Sequence, residues 1–179
     1  EIAHVYIPMD KVGGDYYNFN IKDDNHIGIF ISDVSGHGMP AALIASMLQS
    51  LIHTGHQAVD DPVSLLHKLN TSLKKNLDDN FLTALYLYID FESMTCKVSR
   101  AGHEPCILFR RSQDAIYEIL PKGRLMGLNL EPNYTLHEFP LEAGDRLILF
   151  TDGIIETINS QSTFFGKKQL KHFIKKYKD

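Results

Sequence analysis

The chain has 179 residues, and 18 Lys plus Arg stand against 22 Asp plus Glu, for a net charge of −4. That length suits one domain, and the balance excludes a global basic footprint for nucleic acid. A hydrophobic fraction of 44% spread along the chain excludes disorder as the dominant state. No run approaches the ~20 apolar residues of a transmembrane helix. Cys96 and Cys106 make no disulfide framework. They sit in strand-like runs and read as reduced core residues, which fits a cytoplasmic domain. No signal peptide is visible. The first residue is Glu1 rather than Met, so a longer parent chain is expected.

Residues 2–7 read as a strand closed by Pro8. Gly13-Gly14 permits a turn or bulge before the aromatic strand that follows Asp15. Asp23-Asp24-Asn25 is a turn, after which Ile27, Ile29 and Ile31 alternate with Gly28, Phe30 and Ser32 at the period of a buried strand. That strand runs into Asp33-Val34-Ser35-Gly36-His37-Gly38. Pro40 suits a helical first turn, and Ile44, Met47, Leu48, Leu51 and Ile52 fall on one helical face, so a helix is expected over 40–55. Asp61-Pro62 opens a second helix, whose stripe is Leu66, Leu69, Leu73 and Leu77 and whose end is Asp78-Asp79-Asn80.

Beyond that point the period changes. Strands are expected over 81–91, 95–101, 106–110, 115–120, 135–139 and 146–151, with turns at 90–94, 102–105 and 142–145. A last helix over 167–178 carries Leu170, Phe173, Ile174 and Tyr177 among six lysines. Those lysines suit either an acidic partner or a solvated face opposite an apolar stripe, and the solvated face is favoured. Strands, two helices, more strands and a final helix make an α+β layered domain; two central helices are too few for a parallel βαβ sheet.

Three aspartates occupy marked positions. Asp15 follows Gly13-Gly14, Asp33 ends an apolar strand before a glycine-rich turn, and Asp152 follows the apolar run 147–150 and precedes Gly153. Each alone fits an ordinary turn or cap, because Asp-Gly and Gly-Asp are common turn dipeptides. Together they suit a shared divalent cation, since carboxylates at strand mouths are costly to bury unless compensated, and oxygen ligands suit Mg²⁺ or Mn²⁺.

A wider pattern surrounds these residues. Gly13-Gly14-Asp15-Tyr16-Tyr17, Asp33-Val34-Ser35-Gly36-His37-Gly38-Met39-Pro40-Ala41-Ala42, Ala101-Gly102-His103-Glu104-Pro105, Leu125-Met126-Gly127-Leu128 and Phe150-Thr151-Asp152-Gly153-Ile154-Ile155-Glu156 follow in order. In order and spacing the chain resembles the SpoIIE/RsbU branch of the PPM-type, metal-dependent serine/threonine protein phosphatases. The resemblance implies one domain over 1–179: a central antiparallel β-sandwich flanked by helices in α-β-β-α layers, with two Mn²⁺ or Mg²⁺ ions at one end. It implies that Asp33 bridges both ions, that the Val34 carbonyl binds one, that Asp152 binds the other, and that Asp15 acts directly or through water. The implied chemistry is in-line attack on phosphoserine or phosphothreonine by hydroxide that the two cations generate at neutral pH. The branch further implies the output module of a longer regulator, with an N-terminal sensor or receiver domain. Its substrate would be a phosphorylated anti-sigma-factor antagonist in a partner-switching pathway. Dimerisation and helix movement near the site would activate it, and the helix after Pro40 leaves the metal turn directly. The domain would be cytoplasmic, within a protein that could be membrane-tethered.

Two departures from the pattern are visible. Asn18 stands where the family has Asp, and the Asp-Asp-x-Thr strand that closes the family fold does not occur before Asp179. They keep open a second reading, a catalytically weak phosphatase-like module that senses or holds a partner. A nucleotidyl cyclase of the Gly-Gly-Asp-Glu-Phe type fails, because Tyr16-Tyr17 replace Glu-Phe. His37 suits a general acid or a turn-stabilising residue. His103 reads as structural, Thr151 as a strand end rather than a ligand-positioning group, and Glu156 as either a neighbour of the metals or a turn cap.

Overall fold

A computed structural model describes residues 1–8, 12–55, 60–77, 80–128 and 130–178. The β1 (Tyr16–Ile21), β2 (His26–Val34), β3 (Leu82–Asp90), β4 (Thr95–Ala101) and β7 (His137–Pro140) strands form one antiparallel sheet in the order β1-β2-β3-β4-β7. A smaller sheet has the order β6-β5-β8, from β5 (Cys106–Arg110), β6 (Ala115–Ile119) and β8 (Arg146–Ile148). Among the described residues, four α-helices complete the fold: α1 (Met39–Gly55), α2 (Pro62–Leu73), α3 (Asp152–Ile155) and α4 (Gly166–Lys176).

The layering follows from β3, which is buried on both faces. Its even positions, Leu82, Ala84, Tyr86 and Tyr88, pack with Phe30 of β2 against α1 and α2. Its odd positions, Leu85, Leu87 and Ile89, pack with Ile27, Cys96, Val98, Cys106, Leu108, Ile119 and Phe139 between the two sheets. Alternation of side chains along a strand makes one strand serve two cores. The helical stripes supply the first core: Ala41, Ile44, Leu48 and Ile52 from α1, and Leu65, Leu66, Leu69 and Leu73 from α2. Asp61 caps α2 by accepting from the Ser64 backbone N–H at 3.0 Å, with Pro62 at the helix start. The small sheet is flanked by α4, held by Lys171 on Glu118 at 2.6 Å, Lys167 on Glu104 at 2.5 Å and Arg146 on the Tyr177 carbonyl at 2.8 Å. The expected α-β-β-α order is therefore the observed one.

Four expectations are corrected. Residues 2–7 form no strand. Val5 and Ile7 are 83% and 84% exposed, and the segment holds to β1 by side-chain contacts: His4 on Tyr17 and Phe19, and Tyr6 on Tyr17 and the Asp15 carbonyl. A segment that forms no ladder hydrogen bonds is not a strand, whatever its propensity. The last strand ends at Ile148, because only Ile107, Leu108 and Phe109 of β5 oppose it. Thr151 then starts α3 instead of ending a strand. The α2 helix tightens after Leu73 into one 3₁₀ turn over Lys74–Asn76, which still buries Leu77. The helix end expected at Asp78-Asp79 lies outside the described residues. Finally, the lysines of the last helix are not simply a solvated face, since Lys167, Lys171 and Lys178 pair with Glu104, Glu118 and Asp114.

Candidate functional site

The β1–β2 register pairs Tyr16 with Ser32. Asp15 lies just before that first pair, and its carboxyl interacts directly with that of Asp33, just after it. On its other side Asp33 pairs with Thr83 of β3. Directly opposed residues share a face, so Asp33 and Thr83 form a row that Asp15 joins. The row has the parity of Ile31 and Leu85, so it lies at the mouth of the layer between the sheets, next to the apolar core.

Local backbone chemistry shapes this mouth. Gly14 is buried, and a Cβ there would lie 2.8 Å from the Val34 carbonyl oxygen and 3.2 Å from Ala41 Cβ. Only glycine lets the chain cross so close to that carbonyl. After Val34 the chain leaves the sheet through Ser35. The Ser35 backbone N–H donates to the Phe81 carbonyl at 2.9 Å, and its hydroxyl accepts from the Phe81 N–H at 3.0 Å. Gly36 and Gly38 adopt φ of +87° and +73°, which turns the chain sharply into α1. His37 between them is exposed and takes part in none of the hydrogen bonds of the acidic row.

The other half of the site comes from the small sheet. Thr151 precedes α3 with extended backbone and no side-chain cap bond. Its hydroxyl instead donates to Asp15 Oδ2 at 3.1 Å. That bond brings the Asp152 turn to the end of the larger sheet. Asp152 is exposed, while Asp15 and Asp33 are half-buried. Glu156 ends α3, its backbone N–H on the Asp152 carbonyl at 2.8 Å.

The electrostatics match the crowding. Burial first, and then the negative charges of Asp15, Asp152 and Glu156, push the Asp33 carboxyl up to about 7. Asp15 is also raised, by burial and by Asp152, against the hydrogen bonds it accepts from Thr151 and Asp33. Of the two, Asp33 is the carboxyl pushed further toward its neutral form. A shared proton partly offsets the charge that these carboxylates accumulate. A divalent cation would do so more completely, and the nearby Val34 carbonyl is the right kind of additional donor. The residues fit such an ion in donor chemistry. Among the described residues, however, no three acidic, His or Cys side chains close into one ligand cluster. Asp15 and Asp33 are joined; Asp152 and Glu156 reach them by charge rather than by contact.

Sequence reasoning missed Thr83 and understated Thr151 and His103. Thr83 Oγ1 lies 2.7 Å from His103 Nδ1 and 3.5 Å from the Asp33 carbonyl oxygen. The available signal was a single short polar residue in the apolar run from Leu82 to Leu87. Asn18 lies on β1 opposite Phe30, on the helix-facing side of the sheet, and burial raises the Tyr16 hydroxyl near it.

The SpoIIE family, described as Stage II sporulation protein E, matches residues 23–179. The chain is 30% identical over 178 residues to the phosphoserine phosphatase RsbU of Bacillus subtilis, covering 99% of this chain and 52% of that protein. It therefore spans about half the length of that relative. Among solved structures it is similar to the RsbU and RsbW domains of a Mycobacterium tuberculosis protein, at 21% identity and a TM-score of 0.80, covering 95% of this chain and 47% of that one. It is also similar to RsbX in complex with magnesium, at 23% identity and a TM-score of 0.68, covering 94% of this chain and 82% of that one. These structural likenesses establish the fold. With the family match over most of its length and the sandwich, acidic row and Thr151–Asp152 turn in place, the chain belongs to the SpoIIE family.

Proposed function

We propose that this domain hydrolyses phosphoserine or phosphothreonine on a regulatory partner protein, using two Mn²⁺ or Mg²⁺ ions. Asp15, Asp33, Asp152 and the Val34 carbonyl would hold them. The observation that carries this reading is the interacting pair Asp15 and Asp33, tied to the Asp152 turn by Thr151. A relative named phosphoserine phosphatase and a neighbour solved with magnesium support it.

Bound cations would supply Lewis acidity, activating water and neutralising charge on the phosphoryl oxygens. The chain's own residues do the rest. Thr151 orients the Asp15 carboxylate. The tight crossing at Gly14 keeps the space beside the Val34 carbonyl clear of side chain. A cysteine mechanism is out of reach: Cys96 and Cys106 are fully buried between the sheets, and burial pushes the Cys106 thiol up to about 12. The shallow, acidic mouth suits a phosphate carried on a protein surface, where remote contacts supply positioning.

The partner implied by this reading is a phosphorylated anti-sigma-factor antagonist. The same reading carries an N-terminal sensor or receiver domain, homodimerisation and a cytoplasmic location. Among the described residues no helix is long and apolar enough to cross a membrane. A second reading, a weakly catalytic partner-binding module, is favoured by one observation: Asp152 and Glu156 do not close on the Asp15–Asp33 pair. One experiment separates the two. Phosphate release from phosphorylated antagonist proteins and from an aryl phosphate is measured with Mn²⁺ and with chelator. Turnover that needs Mn²⁺ is expected. Chelator-resistant turnover would sink the metal mechanism, and partner binding without any turnover would establish the binding module.

A further inference from the structure

We infer that His103 is a positioning residue, a buried strut that holds the Asp33 end of the larger sheet against the Asp152 turn of the smaller one. This rests on the reading that Asp15, Asp33 and Asp152 serve cation-dependent phosphate hydrolysis.

His103 is 4% exposed. One ring nitrogen, Nδ1, is 2.7 Å from the Thr83 hydroxyl. Thr83 is the cross-strand partner of Asp33, and the same hydroxyl is 3.5 Å from the Asp33 carbonyl oxygen. The other nitrogen, Nε2, is buried without a partner at normal hydrogen-bond geometry, and the ring interacts with the backbone of Phe150. Phe150 stands two residues before Asp152. A single ring therefore spans from the row on one sheet to the turn after the other.

The local chain is built to aim it there. Gly102 adopts φ +68°, and a Cβ at that position would meet Leu125 at 2.4 Å. Arg100 clamps the turn from both sides, donating to the His103 carbonyl at 2.6 Å and the Pro121 carbonyl at 2.9 Å. Filling a core does not call for histidine: a buried ring with one unmade hydrogen bond costs more than a leucine of similar size. The short Thr83 contact is made in either tautomer: the hydroxyl donates to Nδ1, or Nδ1–H donates to the hydroxyl, whose own proton then turns to the Asp33 carbonyl oxygen. Burial also lowers the ring's affinity for a second proton, to a pKa of about 4. The buried ring therefore favours its neutral form and acts as a spacer between the two sheets.

The test uses the whole chain and four variants: Thr83→Val, Thr83→Ser, His103→Asn and His103→Leu. Mn²⁺ affinity is measured by calorimetry and Mn²⁺-dependent turnover on an aryl phosphate, with near-UV circular dichroism to select folded variants. Partners that orient metal ligands are worth about tenfold to a hundredfold in affinity. Thr83→Val and His103→Leu should weaken Mn²⁺ binding by about tenfold, by that principle, and lower kcat. Thr83→Ser, which keeps the hydroxyl, should restore both, and His103→Asn, which reaches only the Nδ1 position, should fall between. Thr83→Val is nearly isosteric, so it decides the matter should the His103 variants not fold. A folded Thr83→Val with wild-type affinity and turnover overturns the strut while leaving the phosphatase reading intact. A wild-type chain that binds no Mn²⁺ overturns both.

Discussion

Thr151 donates its hydroxyl to Asp15 Oδ2 at 3.1 Å, joining residues 136 positions apart. One belongs to the turn after the small sheet and the other to the entry of the large one. The bond sets the acidic end of the sandwich at a junction between sheets, where a small shift of either sheet changes the spacing of Asp15, Asp33 and Asp152.

Removing that hydroxyl tests the junction. Thr151→Val keeps the volume and should cost about 1 kcal/mol of stability, the net worth of an ordinary side-chain hydrogen bond. Turnover with Mn²⁺ should fall by about tenfold if the bond orients a metal ligand, and Thr151→Ser should recover most of it. Steady-state kinetics beside urea unfolding separates the two effects.

Asp33 should make the metal-free protein sensitive to pH. Its folded-state value, about 7, lies above that of an unfolded aspartate. Its stabilising contribution is therefore fully present below about pH 4 and is lost as pH rises through 7. Asp33→Asn should flatten this part of the profile. At pH 8 without metal it should exceed wild type by about 1–2 kcal/mol, a figure reduced for the solvent exposure of the site. With Mn²⁺ the same variant should lose turnover. Urea midpoints in chelator from pH 4 to 8 give the first result; wild-type and variant curves of identical shape would refute the crowding argument.

Gly14 should not tolerate a side chain. A methyl group would lie 2.8 Å from the Val34 carbonyl oxygen, so backbone must move. Gly14→Ala should cost about 1–3 kcal/mol, as for overpacking elsewhere. It should also weaken Mn²⁺ binding, because the displaced group is the Val34 carbonyl. Calorimetry of the folded variant checks this, and unchanged affinity would remove Val34 from the ligand set.

The two cysteines should be silent in the native state. Both are fully buried, and burial raises both thiols, Cys106 to about 12. Neither should react with an alkylating reagent at pH 8 until urea unfolds the chain, and phosphatase turnover should survive such treatment. Mass spectrometry of native and unfolded samples reads the first outcome directly.

Periodic patterns in the chain already determined most of the elements. Alternation in residues 26–34 and 82–90, the stripes of α1 and α2, and the Asp61-Pro62 start are local facts, and short-range sterics and capping act on them without regard to the rest of the fold. Motif order likewise singled out Asp15, Asp33 and Asp152. Residues 2–7 show where such reasoning stops. Their propensity is that of a strand, but a strand exists only through the neighbour it pairs with, and that segment pairs with none. The same holds for residues 149–151, where the length of β5 opposite decided how far β8 could run.

What only the tertiary structure decided is which polar groups meet. Sequence spacing carries no sign that Thr151 bonds Asp15, that Thr83 stands between Asp33 and His103, or that Asp152 and Glu156 stay outside contact with the pair. These relations depend on the register of β1 against β2 and on the packing of one sheet over the other. Both are settled by burial summed over many side chains, with Leu85, Leu87, Cys96, Cys106 and Leu108 fixing the sheets face to face. The acids therefore end up where the apolar core places them, and the raised carboxyl of Asp33 is the electrostatic consequence.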